Sequence, residues 1–336
     1  MKIAIVGAGA IGGYLGVRLA LSGETVSVIA RGANLAAIKA GGMKLVSETG
    51  AEEHATAIAA FERPEEAGPH DVVLLTVKAH QVAALAEGLR HLCHDGTSIV
   101  TMQNGIPWWY FHKHGGEHEG RAVSAADPGG TIARYIDPAR VIGSVVYPAA
   151  NLVAPGVVQH VEGNRFSLGE LDGATTTPRI LAISQALGRA GFKAPAVRDI
   201  RSEIWLKLWG NLSFNPISAL THATLVDLCQ FPRTRELSSR MMAEAETIAT
   251  KLGVAMRISI EKRIAGAEKV GAHKTSMLID VEQGRPIELD ALMGAVIELG
   301  ELTQTPTPHI GAVYACASLL AHTLATSGGR LQITPA

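Results

Sequence analysis

Three polar side chains recur at helical spacing in the second half of the chain. Lys207, Asn211 and Asn215 are each four residues apart, which places them on one face of a helix. The run from Ile204 to Trp209 is otherwise largely apolar, so the stripe indicates the wall of a cleft, with a solvent-exposed polar face as the alternative. In a cleft, a lysine can stabilise negative charge on a substrate oxygen and then donate a proton to it. Pro216 predicts that this helix ends or kinks directly afterwards.

The first residues combine a strand-like run, a glycine-rich turn and a helix-compatible segment. Lys2–Val6 leads into the sequence Gly-Ala-Gly-Ala-Ile-Gly, and Gly13–Ser22 follows. In this context such glycines form a dinucleotide fingerprint, with a tight turn, a close backbone approach to the pyrophosphate and close helix packing. The free N–H groups of the helix N-terminus attract the phosphates. The residues expected to contact the dinucleotide are Gly7, Gly9, Ala10, Ile11 and Gly12. The alternative is a glycine-rich turn that binds no ligand.

The residue after the second strand-like run distinguishes two dinucleotides. Thr25–Ala30 ends at Arg31, where an NAD-specific protein usually carries an Asp or Glu for the ribose hydroxyls. An arginine can instead form charge-assisted hydrogen bonds to the 2′-phosphate of NADP, each worth about 1.5 to 3 kcal/mol. Arg31 therefore favours NADP(H) as the cofactor, with a solvated surface arginine as the alternative.

Two further motifs follow apolar runs and are expected at the carboxyl ends of strands. Val77-Lys78-Ala79 follows one run and Gln103-Asn104-Gly105 follows the next. Ligands of open α/β sheets bind at that edge, so Lys78 and Asn104 are expected to line the cofactor crevice. Taken singly, a solvated lysine and a plain Asn-Gly turn are the alternatives.

Short apolar runs alternate with helix-compatible segments in the first half, which is the pattern of a parallel sheet. After Asp199 helical spacing dominates instead. The predicted fold class is α/β, with a Rossmann-type doubly wound sheet domain over residues 1–198 and an all-helical C-terminal domain over residues 199–336. The segment from Pro107 to Gly130 fits neither period and is expected to be irregular. The later strand-like pieces, expected to extend the same sheet, are Arg140–Tyr147, Gly156–Val161, Arg165–Leu168 and Lys193–Val197.

Composition excludes several classes of protein. Thirty basic residues against thirty-one acidic ones leave a formal charge of -1, so no global field attracts nucleic acid or an anionic membrane. A secretory signal is not evident, which predicts a cytoplasmic location. The apolar stretch Ile310–Ala325 is too short for a bilayer span and predicts a buried helix. The chain could be a monomer or a homodimer.

Together with Trp205-Leu-Lys-Leu-Trp-Gly-Asn-Leu-Ser-Phe-Asn-Pro216 and Lys274-Thr-Ser-Met277, these motifs resemble, in order, those of the ketopantoate reductase family. The resemblance implies an N-terminal Rossmann domain, a helical C-terminal domain and NADPH-dependent reduction of a 2-oxo acid, most simply 2-dehydropantoate (ketopantoate) to pantoate in pantothenate biosynthesis. The resemblance also implies roles for individual residues. Lys207 and Glu288 are the expected catalytic residues, with Lys207 as the proton donor and Glu288 at the substrate hydroxyl. The expected substrate-binding residues are Asn211, Asn215, Ser276 and Lys78, and Asn104 and Lys78 are expected on the cofactor and substrate sides of the cleft.

The sequence departs from the family pattern after Gln-Asn-Gly. An aromatic run, Trp108–Phe111, opens a long segment that could reshape the substrate pocket or simply pack on the sheet. An NADP-dependent reductase or dehydrogenase of a different oxo or hydroxy acid is therefore an alternative, and a non-catalytic NADPH sensor is a third. The nearby His112, His114 and His118 lack a companion carboxylate or cysteine pattern and hydride transfer to a ketone needs no metal, so no metal site is expected.

Overall fold

The computed structural model describes residues 1–329, which form two compact units. Unit 1 comprises Met1–Asn104, Trp108–Ala122 and Asp127–Ile200, and unit 2 comprises Gly105–Pro107, Val123–Ala126 and the chain from Arg201 onward. Two short pieces of the irregular segment thus belong with the helical residues of unit 2.

Unit 1 contains a seven-stranded sheet with helices packed on it, which confirms the doubly wound α/β fold. Its order is β11-β8-β7-β6-β1-β2-β5, all parallel except for the antiparallel pair of β11 and β8. The strands of the unit are β1 Lys2–Val6, β2 Thr25–Ile29, β3 Met43–Val46, β4 Glu52–Ala55, β5 Ile58–Phe61, β6 His70–Leu75, β7 Cys93–Thr101, β8 Val141–Val146, β9 Ala149–Ala154, β10 Val157–Glu162 and β11 Phe166–Glu170. The helices are α1 Ala10–Leu21, α2 Gly32–Gly41, α3 Ala79–Leu89, α4 Thr131–Tyr135 and α5 Pro178–Arg189.

Two of the predicted sheet extensions are wrong. The strand at 156–161 does form, as β10, but it joins a second sheet in the order β4-β3-β10-β9, where its Val158 is buried close to Gly13 of α1. The absence of a side chain at Gly13 permits this approach, so the second sheet covers α1 rather than extending the first sheet. The piece Lys193–Val197 forms only isolated bridges, to Leu168 of β11 and to Arg165 just before it, and its Pro195 has no N–H to donate to a ladder.

Unit 2 is helical throughout its later part. The helices are α6 Ile200–Thr221, of which residues from Arg201 onward belong to this unit, α7 Leu225–Gln230, α8 Pro232–Lys251, α9 Ile260–Lys269, α10 Ser276–Glu282, α11 Ala295–Leu302 and α12 Pro308–Thr326. Pro216 does not end α6, which continues for another five residues to Thr221. Trp205 and Trp209 of this helix are fully buried, and packing of this kind can outweigh the local cost of a proline.

The last helix is only half-buried, so the prediction of a buried helix over Ile310–Ala325 is wrong. In α12 one face is buried, at Ile310, Val313, Ala317 and Leu324, whereas Leu319 on another face is 66% exposed. Within residues 1–329, no helix is both long and apolar enough to span a membrane.

Candidate active site

The glycine turn after β1 packs tightly against the ends of the neighbouring strands β2 and β6. Gly7 has φ +106°, which favours glycine, and its N–H donates to the Ile29 carbonyl at 3.0 Å. A Cβ on Gly12 would overlap the Gly7 carbonyl oxygen, so only glycine permits the first turn of α1 to lie this close. Thr76, directly after β6, donates from Oγ1 to the carbonyls of Val6 (3.0 Å) and Gly7 (2.7 Å). The sequence did not predict these hydrogen bonds, because Thr76 lies within an apolar run and has no distinguishing neighbour there.

The N-terminus of α1 has room for a ligand. Gly9 is its N-cap, and a Cβ built there would meet no atom within 4 Å. No acidic residue lies in the first turn, so the N–H groups of Ala10, Ile11 and Gly12 offer a positive field with no opposing carboxylate on that turn. These features suit the binding of a pyrophosphate.

Arg31 directly precedes α2 as its N-cap residue, with an exposed side chain. Three residues later, Asn34 donates from Nδ2 to the Ala8 carbonyl at 2.6 Å, and its Oδ1 accepts from the Gly156 N–H at 2.7 Å. Asn34 therefore joins the glycine turn to the helix that begins after Arg31. A polar residue in a first helical turn gave little sign of this role in the sequence.

Lys78 and Asn104 follow β6 and β7, neighbouring parallel strands of the sheet, as predicted. Lys78 is the N-cap residue of α3, and its backbone N–H donates to Gln81 Oε1 at 3.2 Å. Gln103 donates from Nε2 to the carbonyls of Leu75 (2.8 Å) and Val77 (3.0 Å), tying the ends of the two strands together. In the Gln-Asn-Gly motif, the glutamine thus has a structural role and Asn104 remains the candidate for ligand contact.

In unit 2, the predicted polar stripe lies on α6. Asn215 is only 8% exposed, and its Nδ2 lies 3.5 Å from Asn211 Oδ1, one turn earlier. Lys207 is one turn earlier again on the same helix. The indole N–H of Trp209 donates to the Met242 carbonyl at 2.7 Å, which fixes the rotation of α6 against α8.

The Lys207 side chain has a strongly shifted pKa. Burial lowers the pKa of its ammonium from 10.5 to about 8, and the Glu288 carboxylate opposes this by raising that pKa. An attraction that acts through charge requires Glu288 to lie near Lys207, so the structure brings together two residues eighty-one positions apart. Perturbed groups of this kind cluster at functional sites.

Ser276 lies apart from these residues in its hydrogen bonding. It is the first residue of α10 with an exposed side chain, and among the described residues it forms no hydrogen bond with Lys207, Asn211, Asn215 or Glu288. The preceding Thr275 is the capping residue instead, its hydroxyl accepting from the Leu278 N–H at 3.2 Å.

The segment Trp108–Ala122, here called the aromatic insert, packs within unit 1. Trp109, Tyr110 and Phe111 are at most 2% exposed, and the Trp109 indole N–H donates to Thr101 Oγ1 of β7 at 2.9 Å. His114 and His118 contact the Phe111 ring edge-on. These contacts favour packing on the sheet over a reshaped pocket. In the described part of the chain, no group of three or more His, Cys, Asp or Glu side chains could hold a metal ion.

Comparison with known families agrees with this geometry over nearly the whole chain. Residues 3–173 match the model of ketopantoate reductase PanE/ApbA, and residues 199–321 match the model of its C-terminal region. The chain belongs to the ketopantoate reductase family. The order of motifs from the glycine turn to Glu288 therefore reflects common ancestry with these oxidoreductases.

Individual relatives extend over nearly their full lengths. A 2-dehydropantoate 2-reductase of Mesorhizobium japonicum is 52% identical over 96% of this chain and 98% of its own. A crystal structure from Ralstonia solanacearum, described as that of a candidate ketopantoate reductase, is 40% identical with a TM-score of 0.91, covering 96% of this chain and 98% of its own. A ternary structure of D-mandelate dehydrogenase with NADH and anilino(oxo)acetate shares the fold alone, with 21% identity, a TM-score of 0.81 and coverage of 97% of this chain and 100% of its own.

Proposed function

We propose that this chain reduces ketopantoate to pantoate with NADPH, and that Lys207 is the general acid. The observation that carries the proposal is the Lys207 ammonium, whose pKa is lowered by desolvation and raised by the charge of Glu288, in a chain 52% identical to a 2-dehydropantoate 2-reductase. When bound, NADPH supplies a hydride to the carbonyl carbon. As that carbon is reduced, its oxygen becomes basic and requires a proton.

Lys207 suits the supply of that proton. With a pKa near 8, the side chain is mostly protonated at neutral pH and yet gives up its proton more readily than an ordinary lysine. The ammonium charge also stabilises the developing alkoxide, and low local polarity strengthens this attraction. Its removal is expected to reduce turnover about 10²- to 10⁴-fold.

We assign cofactor binding to unit 1. The expected phosphate contacts are the glycine turn and first helical turn of Gly7, Gly9, Ala10, Ile11 and Gly12. Arg31 is assigned to the 2′-phosphate, since its exposed guanidinium is at the N-terminal end of α2 and no carboxylate occupies its position. Asn104 and Lys78 are assigned to the nicotinamide end.

We assign substrate binding mainly to unit 2. Asn211 and Asn215 continue the Lys207 face of α6, and a buried amide on that face offers both a donor and an acceptor to a small oxo acid. Glu288 is assigned to the substrate hydroxyl, and Ser276 and Lys78 complete the set by resemblance. The cytoplasmic location and the choice between monomer and homodimer stay predictions.

The test is NADPH oxidation by the purified protein on addition of ketopantoate, beside Lys207→Ala and with NADH as the comparison cofactor. We expect turnover that depends on Lys207 and prefers NADPH. Arg31→Ala should reduce that preference about tenfold by raising the KM for NADPH and leaving the KM for NADH unchanged. If NADPH binds but ketopantoate is not reduced, the substrate assignment is wrong and other oxo acids replace it. If Lys207→Ala retains full turnover, the assignment of the acid is wrong.

A further inference from the structure

The residues that follow Glu288 form an unusual helical turn. Asp290–Gly294 is π-helical, with the Ala295 N–H donating five residues back to the Asp290 carbonyl, before α11 begins. The N–H groups of Met293 (2.7 Å) and Gly294 (3.3 Å) both point to the Leu289 carbonyl. A π-turn is rare and is frequently found at functional sites. The turn Asp290–Gly294, called the π-turn below, lies between Glu288 and α11. Its geometry therefore sets the position of Glu288 relative to α11.

A short segment before the aromatic insert packs on this turn. The Ile106 N–H donates to the Ala291 carbonyl at 2.8 Å, and Ile106 is buried. Gly105 has φ +91°, and a Cβ there would overlap the Ala291 carbonyl group. Both the backbone conformation and the close approach therefore require glycine at this position.

A second segment, after the aromatic insert, is attached beside the first. The backbone N–H groups of Ser124 and Ala125 each donate to one oxygen of the Glu298 carboxylate, both at 2.8 Å. The Ala125 Cβ lies 3.6 Å from where a Cβ of Gly294 would be, so this segment also touches the π-turn. We call the two segments, Gly105–Pro107 and Val123–Ala126, the clasp. The π-turn is thus contacted by the clasp at Ala291 and again at Gly294.

We propose that Glu298 is a positioning residue for Glu288, which it holds in place by fastening the clasp to α11, directly after the π-turn. The inference rests on the proposed function, in which Glu288 contacts the substrate. The Glu298 carboxylate accepts hydrogen bonds from two adjacent backbone N–H groups of the clasp, and both bonds are charge-assisted. Its loss would free the Ser124 end of the clasp, widen the motion of the π-turn and loosen Glu288.

The variant Glu298→Gln isolates this effect at nearly constant size. A glutamine offers one acceptor oxygen, and its amide group would face the second backbone N–H, so one bond is lost and one repulsive contact is gained. Glu301→Gln is the matched control, because Glu301 lies three residues further along α11 with an exposed side chain. Neither residue is assigned to substrate or cofactor.

The first measurement is steady-state kinetics with ketopantoate, together with the Kd of NADPH. A loosened Glu288 weakens substrate binding in the ground state and the transition state alike, so Glu298→Gln should raise the KM for ketopantoate about tenfold with kcat changed less than about twofold. The Kd of NADPH should stay within about twofold of wild type, and Glu301→Gln should match wild type throughout. A KM in Glu298→Gln equal to that of Glu301→Gln overturns the proposal, even if the variant melts at a lower temperature.

Amide hydrogen exchange provides a readout that needs no turnover. We expect faster exchange over residues 289–295 in Glu298→Gln than in Glu301→Gln, because the π-turn opens more often once the clasp is released. If wild-type protein does not reduce ketopantoate, the proposed function fails, and exchange alone then decides the positioning role. Equal exchange in the two variants overturns that role.

Discussion

Replacing Lys207 by methionine should stabilise the protein at neutral pH while removing its activity. The structure holds a lysine ammonium where burial lowers its pKa from 10.5 to about 8. At about 1.4 kcal/mol for each pKa unit, holding the charged form there costs about 3 kcal/mol of folding free energy. The attraction of Glu288 is already included in that pKa, so the cost is a net value. Methionine has a similar length and no charge, and its flexible side chain adapts to irregular packing.

The pH dependence gives the sign of the effect. Between pH 8 and pH 10.5 the unfolded chain holds a proton on Lys207 that the folded protein does not. The free energy of unfolding of wild type is therefore lowered by the full cost of the buried charge below pH 8. This free energy increases as the pH rises from 8 towards 10.5, because the folded protein loses the charge. Relative to wild type, Lys207→Met should be about 2 to 3 kcal/mol more stable at pH 7, and the difference should shrink steadily above pH 8.

Urea unfolding of both proteins at pH 7, 8, 9 and 10 measures this difference directly. Lys262→Met is the matched control, because Lys262 is exposed on α9 and should give a difference near zero at every pH. A Lys207→Met protein that is less stable than wild type at pH 7, or a difference that does not change between pH 8 and 10, would refute the argument that burial sets the properties of Lys207.

Further expectations concern both units. Glu288→Gln removes a charge that raises the pKa of Lys207, so the alkaline limb of the profile of kcat/KM against pH should move to lower pH; an unmoved limb contradicts their electrostatic coupling. Gly12→Ala should lower the melting temperature and abolish NADPH binding, because its Cβ overlaps backbone atoms. Gly9→Ala should fold normally and only weaken NADPH binding, because its Cβ meets no atom within 4 Å. Equal melting temperatures of the two variants would contradict the packing argument. Trp109→Phe should lose about 1 to 2 kcal/mol of unfolding free energy through its indole bond and leave the KM for ketopantoate unchanged, whereas a changed KM would place the insert in the pocket.

Local patterns in the sequence were sufficient for the cofactor-binding motif, for the polar face of α6 and for the family. The apolar run before Gly7, the glycine spacing and the position of Arg31 depend on residues within about one turn or strand of each other, and the structure has the predicted strand, turn and helix. The spacing of Lys207, Asn211 and Asn215 likewise needs only the period of a helix, and α6 carries all three. The fold class follows because the strand–helix alternation leaves few packing arrangements for a parallel sheet.

Contacts between distant segments were decided only in the tertiary structure. Nothing near β10 in sequence reveals that it pairs with β3 over α1, because the two strands are more than a hundred residues apart and each reads as an ordinary strand. Pro216 has a strong local preference for ending a helix, yet the buried neighbours of α6 outweigh it. The pKa of Lys207 depends on desolvation and on the approach of Glu288, and both arise only when the helices pack. Sequence alone named the candidate residues for the chemistry, since residue type and local period are written in the chain. The tertiary structure decided the burial, the pKa and the contacts of those residues, since these exist only after folding.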